Sequence, residues 1–530
     1  VTGSHNVKVG GSYVYHMNTS VSFYNDDRLA YRFNNGVPNQ LTMFGLHGAR
    51  IETRTGIGSL FAQDQWTFHR VTLQGGIRFE HIGTHFPEQR VGPDRFIPVQ
   101  IVFPAQDSGV AAKDINPRFG AAYDVFGNGK TAIRGSFGRY PSPASGLGFW
   151  GTSQNPANRF AGSTDRAWNN FEGDFIPHCD LMNPAANGTQ NAAGVFECGA
   201  WSNQSFGKVG PATTYDPNVL SGWNIREFSW DLYVSGQQQL APRVSVTVGY
   251  VRRTWGNLNV TDNRSVAATD FDTFTLTAPN NSRLPGGGNY GMTVYDVKTT
   301  KFGQTDNFVT FASNYGNQTE RYNGVDVNLD ARLFHGIMVV GGLTTGRKST
   351  NNCDVAKKLP EVLTVAGIRQ PLEFCDLKTP FLTQIKGLAS YTIPRVNLRL
   401  SGTFQSKPTV GQNFPGIASE SLAANWVVSS ALIAGSLGRP LAGNLPSTTV
   451  NIVKPGTLYG DRLNQFDVRL SKDLPFERRR VNISVDVYNL FNSSVADTYQ
   501  QTFGSATQPW LTPLTIIPAR FARIGVQFDF

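Results

Sequence analysis

Several things are scarce in this chain, and each scarcity excludes something. No stretch of its 530 residues approaches the roughly 18 uninterrupted apolar positions a membrane-crossing helix needs. Mean hydropathy is −0.26, so the chain is not apolar overall. Only 16% of the residues are charged. The net charge is +9, but it is not gathered into a basic patch. The longest basic run, Arg478-Arg479-Arg480, falls in a turn between two strand-like patterns, and the remaining Lys and Arg are scattered. A nucleic-acid partner would need those charges on one face, so none is expected. The chain starts at Val1 without Met, basic n-region or apolar h-region. We therefore expect a mature or N-terminally shortened chain whose export signal lay upstream.

Catalytic signatures are missing too. No Gly-x-Ser-x-Gly elbow or His-Glu-x-x-His motif occurs. Gly127-Asn128-Gly129-Lys130-Thr131 looks like the end of a phosphate-binding loop, but Asp124 stands where that pattern requires Gly. His81 and His85 are four apart, a metal-binding spacing on a helix, but here they leave a strand and enter a loop. The Asp26-Asp27 pair is of a kind common in loops. The expectation is a protein that is not an enzyme, with no cofactor and no metal ligand.

What is abundant is Gly (55), Phe (36) and Tyr (17), together with period-two alternation. Val71, Leu73, Ile77 and Phe79 share one face, and Thr72, Gln74, Arg78 and Glu80 the other. Val327, Leu329, Ala331 and Leu333 alternate with Asp326, Asn328, Asp330 and Arg332. Val481, Ile483, Val485 and Val487 alternate with Asn482, Ser484, Asp486 and Tyr488. At the end of the chain Ile524, Val526, Phe528 and Phe530 oppose Arg523, Gly525, Gln527 and Asp529. Such runs are longer than the soluble-strand average of about 5–6 residues and match the roughly 9–11 that cross a bilayer when tilted.

The runs pair as hairpins. Leu60–His69 meets Val71–Ile82 near Arg70. Asn116–Phe126 meets Lys130–Tyr140 at Gly127-Asn128-Gly129. Phe228–Leu240 meets Val244–Arg253, Tyr322–Leu333 meets Ile337–Thr345, Phe381–Thr392 meets Val396–Phe404, and Leu463–Lys472 meets Val481–Leu490. Asn6–Met17 and Ser20–Phe33 are weaker strand candidates. Long segments rich in Gly, Pro, Asn, Ser and Thr separate the hairpins: Ser142–Trp223, Asn257–Thr305, Lys348–Thr379 and Pro408–Tyr459. Alternating short turns and long loops are expected of an outer-membrane barrel. The predicted fold is all-β, a large antiparallel transmembrane β-barrel with long extracellular loops. It has roughly 14 to 18 strands by the usual hairpin spacing and occupies residues 1–530 as one domain. The hairpins plus the final strand make an odd count, which predicts an N-terminal strand as the closing partner of the last one.

The four cysteines form two local pairs, Cys179 with Cys198 and Cys353 with Cys375, each inside a long loop. Even, local pairing suggests disulfides in an oxidising compartment. His178 adjoins Cys179, but no CxxC or HxxxH partner is near enough to argue for metal. Trp150, Trp168, Trp201 and Trp223 lie in or beside the largest loop. They are candidate ligand-stacking residues. The alternative is that they pack the loop's own core or join the interfacial aromatic belt.

The final alternating strand ending on Phe530, with Phe528 beside it, resembles the C-terminal strand that the barrel-assembly machinery recognises in outer-membrane proteins. Upstream, Asp486-Val487-Tyr488-Asn489-Leu490-Phe491-Asn492 resembles the penultimate-strand motif of TonB-dependent receptors. Further stretches resemble the Oar-like branch of that family: Gly3–Gly10, Phe61–Trp66, Asn116–Gly120, Arg253-Thr254-Trp255, Tyr322–Asp326 and Pro455–Gln465. They run from Gly3 to Phe530. The resemblance implies a Gram-negative outer-membrane receptor in contact with outer-membrane lipid. Such a receptor takes up a scarce external solute (oligosaccharide, peptide or chelate) with energy from the TonB complex. Such receptors also carry a plug and a TonB-contacting segment. Neither is recognised here, and both are expected to lie upstream or to be missing. Two other readings stay open: a passive porin or structural surface barrel, and a secreted β-rich adhesin or sugar-binding module.

Overall fold

The computed structural model describes residues 5–142, 154–210, 213–333, 336–408, 421–476, 479–505 and 507–530. Trp150, the Gly3-Ser4 pair and the Phe334-His335 turn lie outside the described residues. One 16-stranded sheet dominates. In chain order its main path is β1 (His5–Val21), β2 (Arg50–Phe68), β3 (Val71–Phe86), β4 (Gln106–Asp124), β5 (Thr131–Pro141), β6 (Phe228–Ala241) and β7 (Val244–Gly256). It continues through β8 (Thr319–Arg332), β9 (Ile337–Asn351), β10 (Leu382–Ile393), β11 (Leu398–Pro408), β12 (Arg462–Phe476), β13 (Arg479–Tyr488) and β14 (Phe521–Asp529). Each strand is antiparallel to the one before it. Two short strands, Ser221–Trp223 and Asp376–Lys378, attach to the sides of β4 and β9.

Lengths from 9 to 19 residues suit a tilted crossing. The two faces differ as the alternation requires. Val7, Val9, Tyr13, Leu60, Ile77, Phe119, Val248, Ile483 and Val526 are exposed on the outer face. The inner face carries ion pairs, among them Arg253–Asp231, Lys348–Glu320 and Asp486 with both Arg469 and Arg523. Aromatics gather near the short-turn end of the outer face, where Trp66, Phe68 and Phe126 stand exposed, as expected at a membrane interface. Phe528 and Phe530 also lie outward, at 63% and 99% exposure. Close approach explains one pair of inner glycines. The Tyr322 ring lies over Gly324 and Gly346, where an added Cβ would collide with it.

All described short turns lie at one end of the sheet, and the described residues of segments 22–49, 87–105, 142–227, 257–318, 352–381, 409–461 and 489–520 lie at the other. The turn after β4 shows why Asp124 is not glycine: its carboxylate accepts from the Gly127 and Gly129 N–H groups at 2.9 and 2.8 Å, and both glycines have positive φ. The stretch that looks like a phosphate loop is a capped hairpin turn.

Three expectations need correction. Ser20–Phe33 is not a wall strand: β1 runs on to Val21, and Leu29–Asn34 pairs with Val37–Phe44 in a separate loop sheet. With β1 a full 17-residue strand the main path is even, not odd. β14 pairs with β13 and β1 with β2, and no ladder joins β1 to β14 among the described residues. His81 and His85 do not enter a loop, because β3 continues to Phe86.

The two faces predict opposite responses to one substitution. Ile77→Arg, on the outer face about midway along β3, should cost about 2–4 kcal/mol of barrel stability in phospholipid vesicles. Gln74→Arg, on the inner face of the same strand, should cost under about 1 kcal/mol. Urea unfolding followed by Trp fluorescence measures both.

Candidate functional site: the loop-covered end of the barrel

The long segments are not loose. Residues from 257–318, 352–381, 409–461 and 489–520 share one apolar core, which holds Phe274, Met292, Phe374, Val428, Ile433, Val450, Phe503 and Trp510. The sequence pattern concealed this, because each segment supplies only a few apolar positions and none has a core alone. Phe271–Thr277 and Gly291–Val297 form a hairpin against the helix Ser430–Leu437. That helix is capped by the Ser429 hydroxyl, which accepts from the Leu432 N–H, and it stops at Gly438, whose φ is +74°. Trp510 donates its indole N–H to the Ala423 carbonyl at 2.9 Å.

A buried carboxylate locks this cap. Asp296 has no exposure and accepts from Arg369 and Arg439, both at 2.7 Å, and from the Ala442 N–H. Arg439 also holds Asp272 at 2.8 Å. Three loops therefore meet on one carboxylate, which satisfies a charge that would be costly to bury alone. At the foot of the cap, burial raises the Glu361 carboxyl above its ordinary value. Burial does the same to Glu227, which accepts from the Asn259 N–H. Where the cap meets the rim of the wall there is a cavity of about 450 Å³, lined by Glu320, Lys348, Thr350, Gln370 and Phe374, with Cys375 at its edge. It mixes charged, amide and aromatic groups, as solute sites do.

The largest loop returns into the wall. β5 stops at Pro141, and Ser221–Trp223 takes the vacated edge of β4, pairing in parallel with Ala111–Lys113. Leu220 and Ile225 then pack on Ile82, Val110 and Ala112. Arg226 follows, donating to Asp114 and to Glu80, both at 2.6 Å. Glu80 and Asp114 are register partners across β3 and β4. Arg139 reaches the same Asp114 at 2.9 Å and Asn116 at 2.8 Å, and Arg78 holds Glu80 at 2.8 Å. Asp114 has no exposure, and Arg226 is 2% exposed. Three guanidinium groups on two carboxylates fasten the loop to the mouth of the barrel. Sequence reasoning did not find this network, since its members lie up to 146 positions apart.

Cys179 joins Cys198, and Cys353 joins Cys375, with Cα–Cα distances of 6.2 and 4.9 Å. The three described tryptophans of the group sit in different surroundings. Trp168 is fully buried in a loop core, with its indole N–H donating to Glu197 at 3.2 Å. Trp201 is half-buried against Phe206 and donates to the Leu181 carbonyl at 3.1 Å. Trp223 is exposed beside Phe79, with the Lys113 ammonium over its ring.

Residues 1–357 match the outer membrane beta barrel domain family. The chain belongs to that family. The membership agrees with the alternating wall and its apolar outer face, and places this outer membrane beta barrel protein in the outer membrane of a Gram-negative bacterium. No curated protein sequence matches the chain. Among solved structures it is similar to the outer membrane transporter YddB from Escherichia coli, at 10% identity and a TM-score of 0.47, over 100% of this chain and 61% of that one. It is similar to the FrpB iron transporter from Neisseria meningitidis at 9% identity and a TM-score of 0.43, over 100% of this chain and 53% of that one. For the ferric yersiniabactin uptake receptor FyuA from Yersinia pestis the values are 9% and 0.41, over 100% of this chain and 56% of that one. The chain thus spans between about half and three fifths of the length of these structures.

The Asp114 network predicts a large, specific loss. Asp114→Ala leaves Arg139 and Arg226 buried without their shared carboxylate, so the barrel should lose about 3–5 kcal/mol in detergent unfolding. An exposed control, Asp330→Ala, should change stability by less than about 0.5 kcal/mol.

Proposed function

We propose that this outer membrane beta barrel protein is the barrel of a TonB-dependent receptor of the Oar-like kind, which captures a scarce external solute at its loop-covered end. The observation that carries this reading is the cap: four loops folded around one core, standing over a polar cavity at the rim. A passive pore gains nothing from such an investment of apolar core over its entrance, whereas a receptor needs preformed walls around its solute. The order of short matches from Phe61–Trp66 to Asn489–Phe491, with the aromatic-ended last strand, supports the family branch. Outer-membrane lipid, the barrel-assembly machinery and the TonB complex are the partners this reading requires. The outer-membrane location removes the secreted adhesin module from consideration.

The cavity supports a reading of the solute class. Glu320 and Lys348 form an ion pair at 2.6 Å on the rim, and with Gln370 and Phe374 they offer donors, acceptors and a ring face. A polar organic solute, an oligosaccharide or a peptide, fits that set. Trp223, the one described tryptophan of the proposed stacking group with an exposed ring, stands beside Phe79 on the outer face, a position that suits the interfacial aromatic belt.

The full-length protein in planar bilayers tests the reading. A receptor shows little steady conductance, and its uptake of labelled peptide or oligosaccharide in cells stops when the proton-motive force is collapsed. A large, steady current at rest, or uptake unaffected by the uncoupler, would establish the passive porin instead.

A further inference from the structure

Beside the first disulfide, the loop from Glu172 to His178 brings three metal-ligating groups together on the protein surface, where sequence reading found none. The His178 Nε2 lies 2.7 Å from an Asp174 carboxylate oxygen and 3.6 Å from a Glu172 carboxylate oxygen. All three ligating atoms fall within 4.8 Å of one another, and this is the one such trio among the described residues. Ligands bonded to zinc at about 2.0–2.2 Å are separated by roughly 3 to 3.5 Å. The trio is therefore close to a coordinating arrangement before any ion arrives.

Hydrogen bonds within the loop fix the Asp174 side of that arrangement. Asp174 uses its other oxygen to accept from the Ile176 N–H at 3.0 Å, and Asn170 accepts from the Phe175 N–H at 3.2 Å, fixing the turn at Phe175 with φ of +60°. His178 is followed directly by Cys179, which is bonded to Cys198. Against the His178 backbone stands Glu197, 2% exposed. One of its oxygens accepts from the His178 N–H at 2.8 Å and from the Trp168 indole at 3.2 Å. Its other oxygen is buried and has no hydrogen-bond partner. A buried, half-satisfied carboxylate against the backbone of a ligating histidine is costly unless a positive charge sits nearby. The groups whose charge acts on the imidazole are Glu172, Asp174 and Glu197, all acidic. The hydrogen bond to Asp174, together with this attraction, raises the His178 imidazole above its ordinary value, and the Ile176 N–H with His178 lowers Asp174.

We propose that Glu172, Asp174 and His178 bind a divalent transition cation of the zinc class on the extracellular surface, with Glu197, against the His178 backbone, as an unligated counter-charge. One imidazole with two carboxylates is a borderline set that suits zinc and its neighbours better than calcium or magnesium, which take oxygen ligands alone. Three protein ligands leave at least one position open to water.

Zinc titration of the purified full-length protein, with disulfides intact, tests this. The expected result is one saturable equivalent by calorimetry at pH 7.5. His178→Gln and Asp174→Asn should each weaken binding at least tenfold. His81→Gln, on β3, should leave it unchanged, and magnesium should not compete. Retention of the cap in each variant is read from the heat-shifted mobility of the folded barrel on gels. Absence of a saturable equivalent would overturn the proposal, as would folded His178→Gln protein that binds zinc as tightly as the parent.

Discussion

Lipid offers no hydrogen bonds to a backbone, and the rest of this structure depends on that constraint. It forces the crossing segments into one antiparallel path from β1 to β14, where each internal strand satisfies two neighbours. The period of two then divides every strand between lipid and interior. Ile483, Val485 and Val526 go outward while Asp486 goes inward to meet Arg469 and Arg523. Because the wall is regular, the chain's irregularity collects at its ends. Short turns occupy one end, and the other carries every long segment.

That second end obeys a different rule. Beyond the lipid, strands and loops pack as a water-soluble protein does, and both faces of the wall become covered. Glu52 has the outer-face parity of Leu60 and Trp66, yet it is 3% exposed. It is held by Arg50 and Arg54, and its N–H donates to Gln89 from a neighbouring loop. Ile82 and Ala112, on the inner face, are buried under Leu220 and Ile225. The network around Asp114 and the one around Asp296 do the same work, tying loops to the wall and to one another through buried, fully engaged carboxylates.

These two rules explain what was legible in the sequence. Where lipid faces the strand, Val71 to Glu80 and Val481 to Tyr488 could be assigned to faces, because apolar and polar positions alternate there with only Gly75-Gly76 and Tyr488 as exceptions. Where loops cover the strand, alternation fails. β4 begins at Gln106, ten residues before the pattern suggests, since Ala112 is apolar on the inner face there and Lys113 is charged on the outer. The hairpin turn at Asp124 was legible from its two glycines, and the cysteine pairing from spacing. The cap was not legible. Phe274, Phe374, Ile433 and Trp510 are single apolar residues in four separate polar segments, and no local pattern joins them. The trio at Glu172 was missed for a related reason: its spacing is that of a disulfide-anchored loop and matches no repeat.

One face of this sheet meets lipid and the other an aqueous interior. Spin labels placed singly at residues 524 to 528 of the protein in phospholipid vesicles test it most directly. The account predicts a period of two: labels at Ile524, Val526 and Phe528 relax with lipid-soluble oxygen, and those at Gly525 and Gln527 with a water-soluble nickel complex. Uniform access of the nickel complex to all five positions, or no alternation between them, would contradict it.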